Sequence, residues 1–351
     1  MPLDPSGRLW ILGVGSFGQD VASACEQVGL HVMGFTQTHV TITSVGRYPC
    51  VPLHEITYDG ADIIIGVFNP AESYSEIASV IPGGVFNTIF FPWDIYSILR
   101  DQLGWRYWLR EPEFLDHHES DLSRILEMLS DEESKDCFVR VCEFRKGRDL
   151  SYSSFMSTDQ QYFNDLTLSD LDGPVHYLDG GALDGDSVFA LDSKCAVGPA
   201  YLFEPDSENF LALVSKVGFS GVNATCVPLA LSDKSATFQF SPGKGGSSHI
   251  SDDGSISVTT VSVDQFLGGQ QIDLMKFDVE GFELAALQGA QGTIRKHRPR
   301  LALSCYHRPE DLWTLPDYIR SITDSYDYYF RQHAANSFDL CFYAIPQCSH
   351  R

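Results

Sequence analysis

The sequence predicts an α/β protein in which two Rossmann-like parallel sheets are joined by a helical connector. Two strand-like runs each enter a glycine-rich turn, at Gly13 and at Gly181, and strand and helix patterns alternate after both. A charged stretch of helical periodicity separates the two halves. We therefore expect a Rossmann-like N-terminal domain at residues 1–105, a helical connector at 106–158 and a second α/β domain at 159–346.

The first half reads as strand, glycine-rich turn, helix and strand. Apolar residues 9–12 enter the turn 13–18, a helical pattern follows as far as Val28, and residues 31–35 form a second strand. Further strands are predicted at 61–68 and 85–91, with a helix at 71–80 between them. This order is typical of a small parallel sheet.

The second half repeats the alternation and closes with a β-hairpin. The predicted strands are 175–178, 200–203, 224–229, 236–240, 255–261, 272–277, 299–305, 326–331 and 338–344. The predicted helices are 187–191, 207–217, 282–294 and 312–319. Repeated βα units with an antiparallel last strand are typical of a class I methyltransferase sheet.

Composition excludes several classes of partner. The chain has 24 Lys and Arg against 47 Asp and Glu, a formal charge of −23, whereas nucleic-acid and anionic-membrane binding need clustered cations. No apolar run approaches the ~20 residues of a membrane span, and the first residues lack a signal-peptide pattern. The nine Cys are scattered without a CxxC pair, which indicates free thiols in a reducing cytoplasm.

The first glycine-rich turn, Gly13–Gly18, satisfies the pattern GxGxxG. A dinucleotide site also needs an acid at the end of the second strand to bind ribose hydroxyls. Thr36 and Gln37 stand there instead. We favour glycines that only permit close strand–helix packing, and an NAD(P)-dependent oxidoreductase using this turn stays open as an alternative.

The second turn predicts a ligand site more strongly. Asp179 ends a strand, Gly181 and Gly185 open the turn, and Glu204 ends the next strand, where an acid can bind two ribose hydroxyls. We therefore expect these four residues to bind a cofactor.

Two further acids, Asp184 and Asp186, argue against a phosphate in this turn. Their charges would repel a polyphosphate but would tolerate a cationic ligand. S-adenosylmethionine suits such a turn because it carries a sulfonium, an ammonium and a ribose but no phosphate. The alternative is that Asp184 and Asp186 only cap the helix that begins near Ser187.

Five segments together resemble the FkbM family of S-adenosylmethionine-dependent methyltransferases. They are VHYLDGGALDGDS (175–187), YLFEPD (201–206), VPLALSD (227–233), IDLMKFDVEGFELAALQGA (272–290) and RPRLALSCYHRPEDLWTLPDYI (298–319). The stretch KFDVEG with its continuation ELAALQGA is the most specific. Residues 128–138 and 159–163 also resemble the subgroup that carries an extra N-terminal Rossmann-like domain.

The resemblance implies methyl transfer to a hydroxyl oxygen, commonly on a sugar, glycan or polyketide product. Carried over by position, it implies that Asp179, Gly181 and Glu204 lie along the cofactor. It further implies that Tyr162 and Phe163 can close over it.

An alcohol acceptor needs a base, and the carboxyl ends of the strands are where such a group can reach a ligand. His307 is the expected base, with a role in the following turn as the alternative. Asp278 is expected to orient the acceptor or a base, and Glu280 either joins them or only stabilises a helix N-terminus. Lys276 is expected to pair with one of these two acids. Asp278, Glu280 and His307 could also hold a divalent ion, but no metal is predicted.

The predicted function is an S-adenosylmethionine-dependent O-methyltransferase acting on a hydroxyl of a saccharide, glycan or polyketide-type acceptor. A non-catalytic methyltransferase-like binding protein is the other alternative. The expected partner is a small-molecule or glycan acceptor, with a homo-oligomer left open. The Gly- and Ser-rich stretch 242–253 either contributes to the acceptor pocket or is an ordinary surface loop.

Overall fold

The chain folds into two α/β units, each built around its own sheet. The computed structural model describes residues 7–58, 60–151, 155–241, 249–250 and 256–347. One unit comprises Met1–Glu119, Val139–Met156 and Ala334–Phe338, and the other comprises Ser120–Phe138, Ser157–His333 and Asp339–Arg351. The predicted connector 106–158 is divided between the two units, and its role as a separate segment stays a prediction.

The first unit contains a six-stranded sheet of order β3-β4-β2-β1-β5-β6, parallel except for the β3–β4 pair. Leu9 and Ile11 are fully buried, as expected for the continuous apolar run of a strand in a parallel sheet. The strands are β1 (Arg8–Leu12), β2 (His31–Gln37), β3 (Ser44–Val45), β4 (Tyr48–Pro52), β5 (Asp62–Ile65) and β6 (Ile89–Phe90). The helices are α1 (Ser16–Gln27), α2 (Tyr74–Ser79) and α3 (Pro92–Leu103), with 3-10 turns at Leu53–Glu55, Pro112–Phe114 and Asp116–His118.

Two glycines of the first turn serve close packing. A Cβ atom on Gly18 would lie 2.5 Å from the carbonyl oxygen of Gly13, and one on Gly13 would lie 2.7 Å from the Val67 side chain. Gly15 has nothing within 4 Å. At the end of β2, Thr36 is fully buried and donates its hydroxyl to the carbonyl of Val51, so no acid and no accessible hydroxyl stands there. These contacts support the packing interpretation over a dinucleotide site.

The second unit contains a seven-stranded sheet of order β16-β17-β15-β14-β7-β8-β9 and a four-stranded sheet of order β10-β13-β11-β12. In the larger sheet β17 runs antiparallel to both neighbours and the other pairs are parallel. This arrangement confirms the predicted Rossmann-like sheet with an antiparallel closing strand. The strand order reverses between β7 and β14, which is the point where open α/β sheets bind ligands.

The remaining elements follow in chain order. The helices are α4 (Glu119–Met128), α5 (Glu132–Arg145), α6 (Asp165–Leu168), α7 (Asp186–Asp192), α8 (Ser207–Ser220), α9 (Val263–Leu267), α10 (Glu283–Gly289), α11 (Gln291–His297) and α12 (Asp311–Ile322). The strands are β7 (Val175–Gly180), β8 (Val197–Phe203), β9 (Ala224–Val227), β10 (Ala230–Leu231), β11 (Ala236–Ser241), β12 (His249–Ile250), β13 (Ile256–Val261), β14 (Leu274–Phe277), β15 (Arg300–Ser304), β16 (Tyr326–Gln332) and β17 (Leu340–Pro346).

Several predicted boundaries differ from the structure, and three of the differences follow. β7 continues through Asp179 to Gly180 instead of ending at residue 178, because Asp179 pairs in register with β14. The helix predicted at 282–294 is two helices that meet at Ala290, beside Gly289, whose Cβ position lies 2.1 Å from the carbonyl oxygen of Ser232. Of the strand predicted at 85–91, only Ile89–Phe90 is extended in the sheet. Within the described ranges, every helix is too short or too polar to cross a membrane.

Packing at Gly18 predicts a destabilising effect of a single methyl group. Gly18→Ala is expected to lower the free energy of unfolding by about 1–3 kcal/mol, because the added Cβ atom meets backbone that cannot move aside. The measurement is urea unfolding followed by circular dichroism. The control is Gly83→Ala in the same unit, where a Cβ atom has nothing within 4 Å, and its effect should stay within about 0.5 kcal/mol. Equal stability of the two variants would contradict the packing interpretation.

Candidate active site

The candidate site lies where β7 and β14 run side by side in the second unit. Asp179 pairs in register with Lys276, and Gly180 with Phe277. At the carboxyl ends of these strands is a cavity of about 260 Å³, at the small end of ligand pockets. Its lining includes the predicted site residues Tyr162, Gly181, Asp186 and Asp278, together with Gln160, Gln161, Phe163, Leu183, Ser187, Ala190 and Lys276.

A buried ion pair joins the two central strands. Lys276 Nζ lies 3.0 Å from Asp179 Oδ1, donates to the carbonyl oxygen of Gly181 at 2.7 Å, and lies 5.2 Å from the centroid of the Tyr162 ring. Burial raises the pKa of Asp179, although the charge of Lys276 acts in the opposite direction. Burial would lower the pKa of Lys276, but the charges of Asp179 and Asp278 leave it raised. The ion pair of Lys276 is thus with Asp179, which register places opposite it, and not with the expected Asp278 or Glu280, although Asp278 interacts with Lys276 electrostatically. The hydroxyl of Ser187 also donates to Asp179.

The turn after β7 passes so close to neighbouring backbone that one of its positions requires glycine. Gly181 has φ +78°, and a Cβ atom there would lie 2.0 Å from the carbonyl oxygen of Asp278. Gly185, with φ +92°, precedes α7. Leu183, with φ +48°, is the non-glycine residue of the turn in the left-handed region. The backbone of this turn therefore lies directly against the loop that follows β14.

Glu204, the predicted ribose ligand, holds this turn in place. Its Oε2 accepts the backbone N–H of Leu183 at 2.9 Å, and its Oε1 accepts that of Asp206 at 2.9 Å. The residue is 6% exposed, and burial raises its pKa. Each carboxylate oxygen has a second lone pair, so these bonds leave Glu204 able to accept further hydrogen bonds.

The two acids that follow Leu183 have different surroundings. Asp184 forms an ion pair with Lys216 near the surface. Asp186 is the first residue of α7, accepts the N–H of Ser187 at 2.7 Å and also lines the cavity. Asp186 therefore bonds the first turn of α7 and faces the cavity, whereas Asp184 has a surface partner, and cofactor binding by either acid stays a prediction.

An imidazole surrounded by carboxylates follows β15. His307 is fully buried, with Nδ1 2.8 Å from Glu283 Oε1 and Nε2 3.5 Å from Asp278 Oδ1 and 3.6 Å from Glu280 Oε2. Burial alone would lower the pKa of His307, but Glu283, Glu280 and Asp278 outweigh it and raise the pKa to about 10. At neutral pH this site therefore holds an imidazolium, whereas a general base needs the neutral form.

Asp278 lies between the two cations of the site. Burial would raise its pKa, but Lys276 and His307 leave the pKa lowered, so the carboxyl group is ionised at neutral pH. Its Oδ2 accepts the Tyr162 hydroxyl at 3.1 Å, and that hydroxyl lies 3.0 Å from Ser304 Oγ. Oδ1 accepts no hydrogen bond from the described part of the chain.

Sequence reasoning missed Glu283 and misplaced Glu280. Helix α10 begins at Glu283, so Glu283 is the acid in its first turn, while Glu280 lies before the helix with φ +53°. An acid between the apolar residues Phe282 and Leu284 was the available signal. The stretch 242–253, considered for the acceptor pocket, lies outside the described residues apart from His249–Ile250.

Asp278, Glu283 and His307 are also close enough to be considered as a metal site, since one ligand atom of each lies within 4.8 Å of the others. The hydrogen bond between His307 and Glu283 occupies Nδ1, so Nε2 is the nitrogen of His307 that would remain for a metal. The sequence expectation that no metal is bound stays a prediction.

Removing one member of the buried ion pair is expected to destabilise the second unit. Lys276→Met leaves Asp179 buried without its cation and should lower the free energy of unfolding by about 3–5 kcal/mol. The matched control is Lys216→Met, whose pair with Asp184 has side chains 51% and 34% exposed and should contribute less than about 1 kcal/mol. Thermal and urea unfolding measure both variants, and similar losses would argue against the buried pair.

Comparison with known proteins agrees with this geometry. Residues 179–330 match the family model of the methyltransferase FkbM domain. The crystal structure of a methyltransferase FkbM from Methylobacillus flagellatus matches 97% of this chain and 90% of its own at 20% identity with a TM-score of 0.73, which establishes the shared fold. An rRNA methylase from Streptococcus thermophilus matches 50% of this chain and 89% of its own at 13% identity, with a TM-score of 0.33. A methyltransferase from Streptococcus mutans, solved in complex with SAH, matches 51% of this chain and 93% of its own at 10% identity, with a TM-score of 0.34. Both TM-scores are too low to carry an argument. No curated protein matches significantly. Residues 179–330 of this chain are therefore similar to the methyltransferase FkbM domain, the family that the sequence motifs resemble.

Proposed function

We propose that the chain is an S-adenosylmethionine-dependent O-methyltransferase that acts on a hydroxyl of an uncharged saccharide, glycan or polyketide-type acceptor. The observation that carries the proposal is the cavity at the β7–β14 junction, in the region similar to the FkbM domain, lined by the acids Asp186 and Asp278. Location in the cytoplasm and assembly into a homo-oligomer stay predictions from the sequence.

The charged and aromatic groups around the cavity suit a cationic, phosphate-free nucleoside. Asp186 and Asp278 supply negative charge for an ammonium or sulfonium group, and Tyr162 supplies an aromatic ring beside them. Glu204, next to the turn, retains lone pairs for ribose hydroxyls. The residues that would hold the cofactor are therefore Tyr162, Gly181, Asp186 and Glu204, with Asp179 acting through Lys276.

When bound, S-adenosylmethionine supplies a methyl group already activated by the sulfonium, so the chain's own residues mainly align the acceptor and remove its proton. Asp278 Oδ1 is an ionised acceptor for the substrate hydroxyl. His307, whose Nε2 lies beside Asp278, receives that proton through Asp278 when the imidazole is neutral. The base is then a strong one that is neutral in only a small fraction of molecules at neutral pH.

Charge around His307 favours an uncharged acceptor. Asp278, Glu280 and Glu283 all approach the imidazole, and Asp339 interacts with it electrostatically. A phosphorylated or carboxylated acceptor would meet these like charges at short range. A neutral alcohol avoids that repulsion and can still donate its hydroxyl to Asp278.

The first test is calorimetric titration of the full chain with S-adenosylmethionine. Glu204→Ala is expected to weaken binding by about 1.5–3 kcal/mol, or about 10- to 150-fold, because the ribose ligand and the support of Leu183 are lost together. Glu208→Ala, an exposed acid in the first turn of α8, is the control and should bind like the wild type. No binding by the wild-type chain would reject the proposal. Binding without turnover on any saccharide or polyketide alcohol would favour the non-catalytic alternative.

The second test is the pH dependence of methyl transfer. The acceptor is first found by a screen of saccharide and polyketide alcohols, and the methylated product is measured by mass spectrometry. Activity needs neutral His307, whose pKa is raised to about 10, so the rate should rise with pH from neutrality toward that value. His307→Ala should lose this rise and react ~10²–10⁴-fold more slowly while binding the cofactor normally. A flat wild-type profile, or an unchanged rise in the variant, would move the base elsewhere.

A further inference from the structure

We infer that Glu283 is a positioning residue for the proposed methyl transfer, because its buried carboxylate holds Nδ1 of His307 and so directs Nε2 toward Asp278. The inference rests on the proposed function. It adds a residue that neither the glycine-rich turn nor the cavity lining includes, and it assigns a specific nitrogen of His307 to the reaction.

The hydrogen bonds of Glu283 show which atom is the donor in its contact with His307. Oε1 accepts the backbone N–H of Val279 at 2.9 Å and lies 2.8 Å from His307 Nδ1. This carboxylate oxygen accepts both hydrogen bonds. In its contact with His307, the proton is therefore on Nδ1. Glu283 and His307 are both 0% exposed, so water does not compete for this bond.

Glu283 therefore joins the two loops that carry the reacting groups. Val279 belongs to the loop after β14, between Asp278 and Glu280, and His307 follows β15. One carboxylate oxygen at the start of α10 contacts both loops. Loss of this contact is expected to disturb the position of Asp278 relative to the imidazole.

The fixed proton on Nδ1 determines which nitrogen can act as a base. When the imidazolium loses a proton, the lone pair forms on Nε2, the nitrogen 3.5 Å from Asp278 Oδ1. The proton that the acceptor hydroxyl donates to Asp278 passes on to Nε2, and Nδ1 keeps its bond to Glu283 throughout. A carboxylate that orients an imidazole in this way raises its basicity and selects its tautomer.

Other charged groups face the same imidazole and keep their charge when Glu283 alone is changed. They are Asp278, Glu280, Asp311 and Asp339. The Tyr306 ring also contacts His307, at 4.2 Å between centroids. A change in the titration of His307 in a Glu283 variant therefore reports the loss of the Glu283 charge together with any shift of Asp278 that follows from it.

The test is ¹⁵N NMR titration of the histidines in the full chain, with the His307 signal assigned by its absence in His307→Ala. In the wild type, the neutral form should carry its proton on Nδ1. Glu283→Gln keeps the side-chain shape but removes the charge, and the pKa of His307 should fall by about one to two units. The control Glu208→Gln, in the first turn of α8, should leave the His307 titration unchanged.

A matching shift is expected in the pH–rate profile. In Glu283→Gln the rising limb should move to lower pH by the same amount, with a lower plateau and an unchanged KM for S-adenosylmethionine. A merely structural role would change the rate without moving the limb.

Two results would overturn the inference. One is a neutral wild-type His307 with its proton on Nε2, a measurement that stands even if Glu283→Gln does not fold. The other is an unchanged His307 titration in a folded Glu283→Gln. Failure of the proposed function would appear separately, as a wild-type chain that shows the Nδ1 tautomer but binds no S-adenosylmethionine.

Discussion

The candidate site depends on one buried ion pair, between Lys276 of β14 and Asp179 of β7. Lys276 also binds the carbonyl oxygen of Gly181, so the pair sets where the glycine-rich turn leaves the sheet. Gly181 in turn lies against the carbonyl of Asp278, at a distance that no side chain would allow. The turn on one strand and the acidic loop on its neighbour are thus held in one arrangement by a charge in each strand. Burying two charges costs several kcal/mol per ion, which only good geometry and further hydrogen bonds offset.

The same pair begins an alternation of charge across the site. Asp278 has Lys276 on one side and His307 on the other, and both cations favour its ionised form. Beyond His307 lie Glu280 and Glu283, which favour the imidazolium. Each charge is therefore stabilised by neighbours of opposite sign, and Lys276, His307 and Glu283 are buried. The protonation state of His307 follows from this arrangement and not from the ordinary pKa of histidine.

Local sequence patterns predicted much of the fold and part of the site. An acid after each parallel strand must lie at the same edge of the sheet, so the neighbourhood of Asp278 and His307 followed from strand order alone. The partner of Lys276 did not follow, because it depends on the register between strands almost 100 residues apart in the chain. The break at Ala290 likewise depends on contact between Gly289 and the distant Ser232. Glu283 was missed because its role needs a third element, the segment after β15, to bring His307 against it.

The two glycine-rich turns show why a motif alone does not define a site. Gly18 approaches the carbonyl of Gly13 within its own turn, and Gly181 approaches the carbonyl of Asp278 on the neighbouring strand. Both glycines permit close backbone contact, so the glycine pattern is satisfied in each case for steric reasons. The difference lies in what surrounds the turn: buried Thr36 ends the second strand of the first unit, whereas Glu204 ends the corresponding strand of the second. A ligand needs the charged groups as well as the space. In the second unit the glycine lets the turn approach a loop that carries such groups, while in the first unit it completes the packing of a strand against a helix.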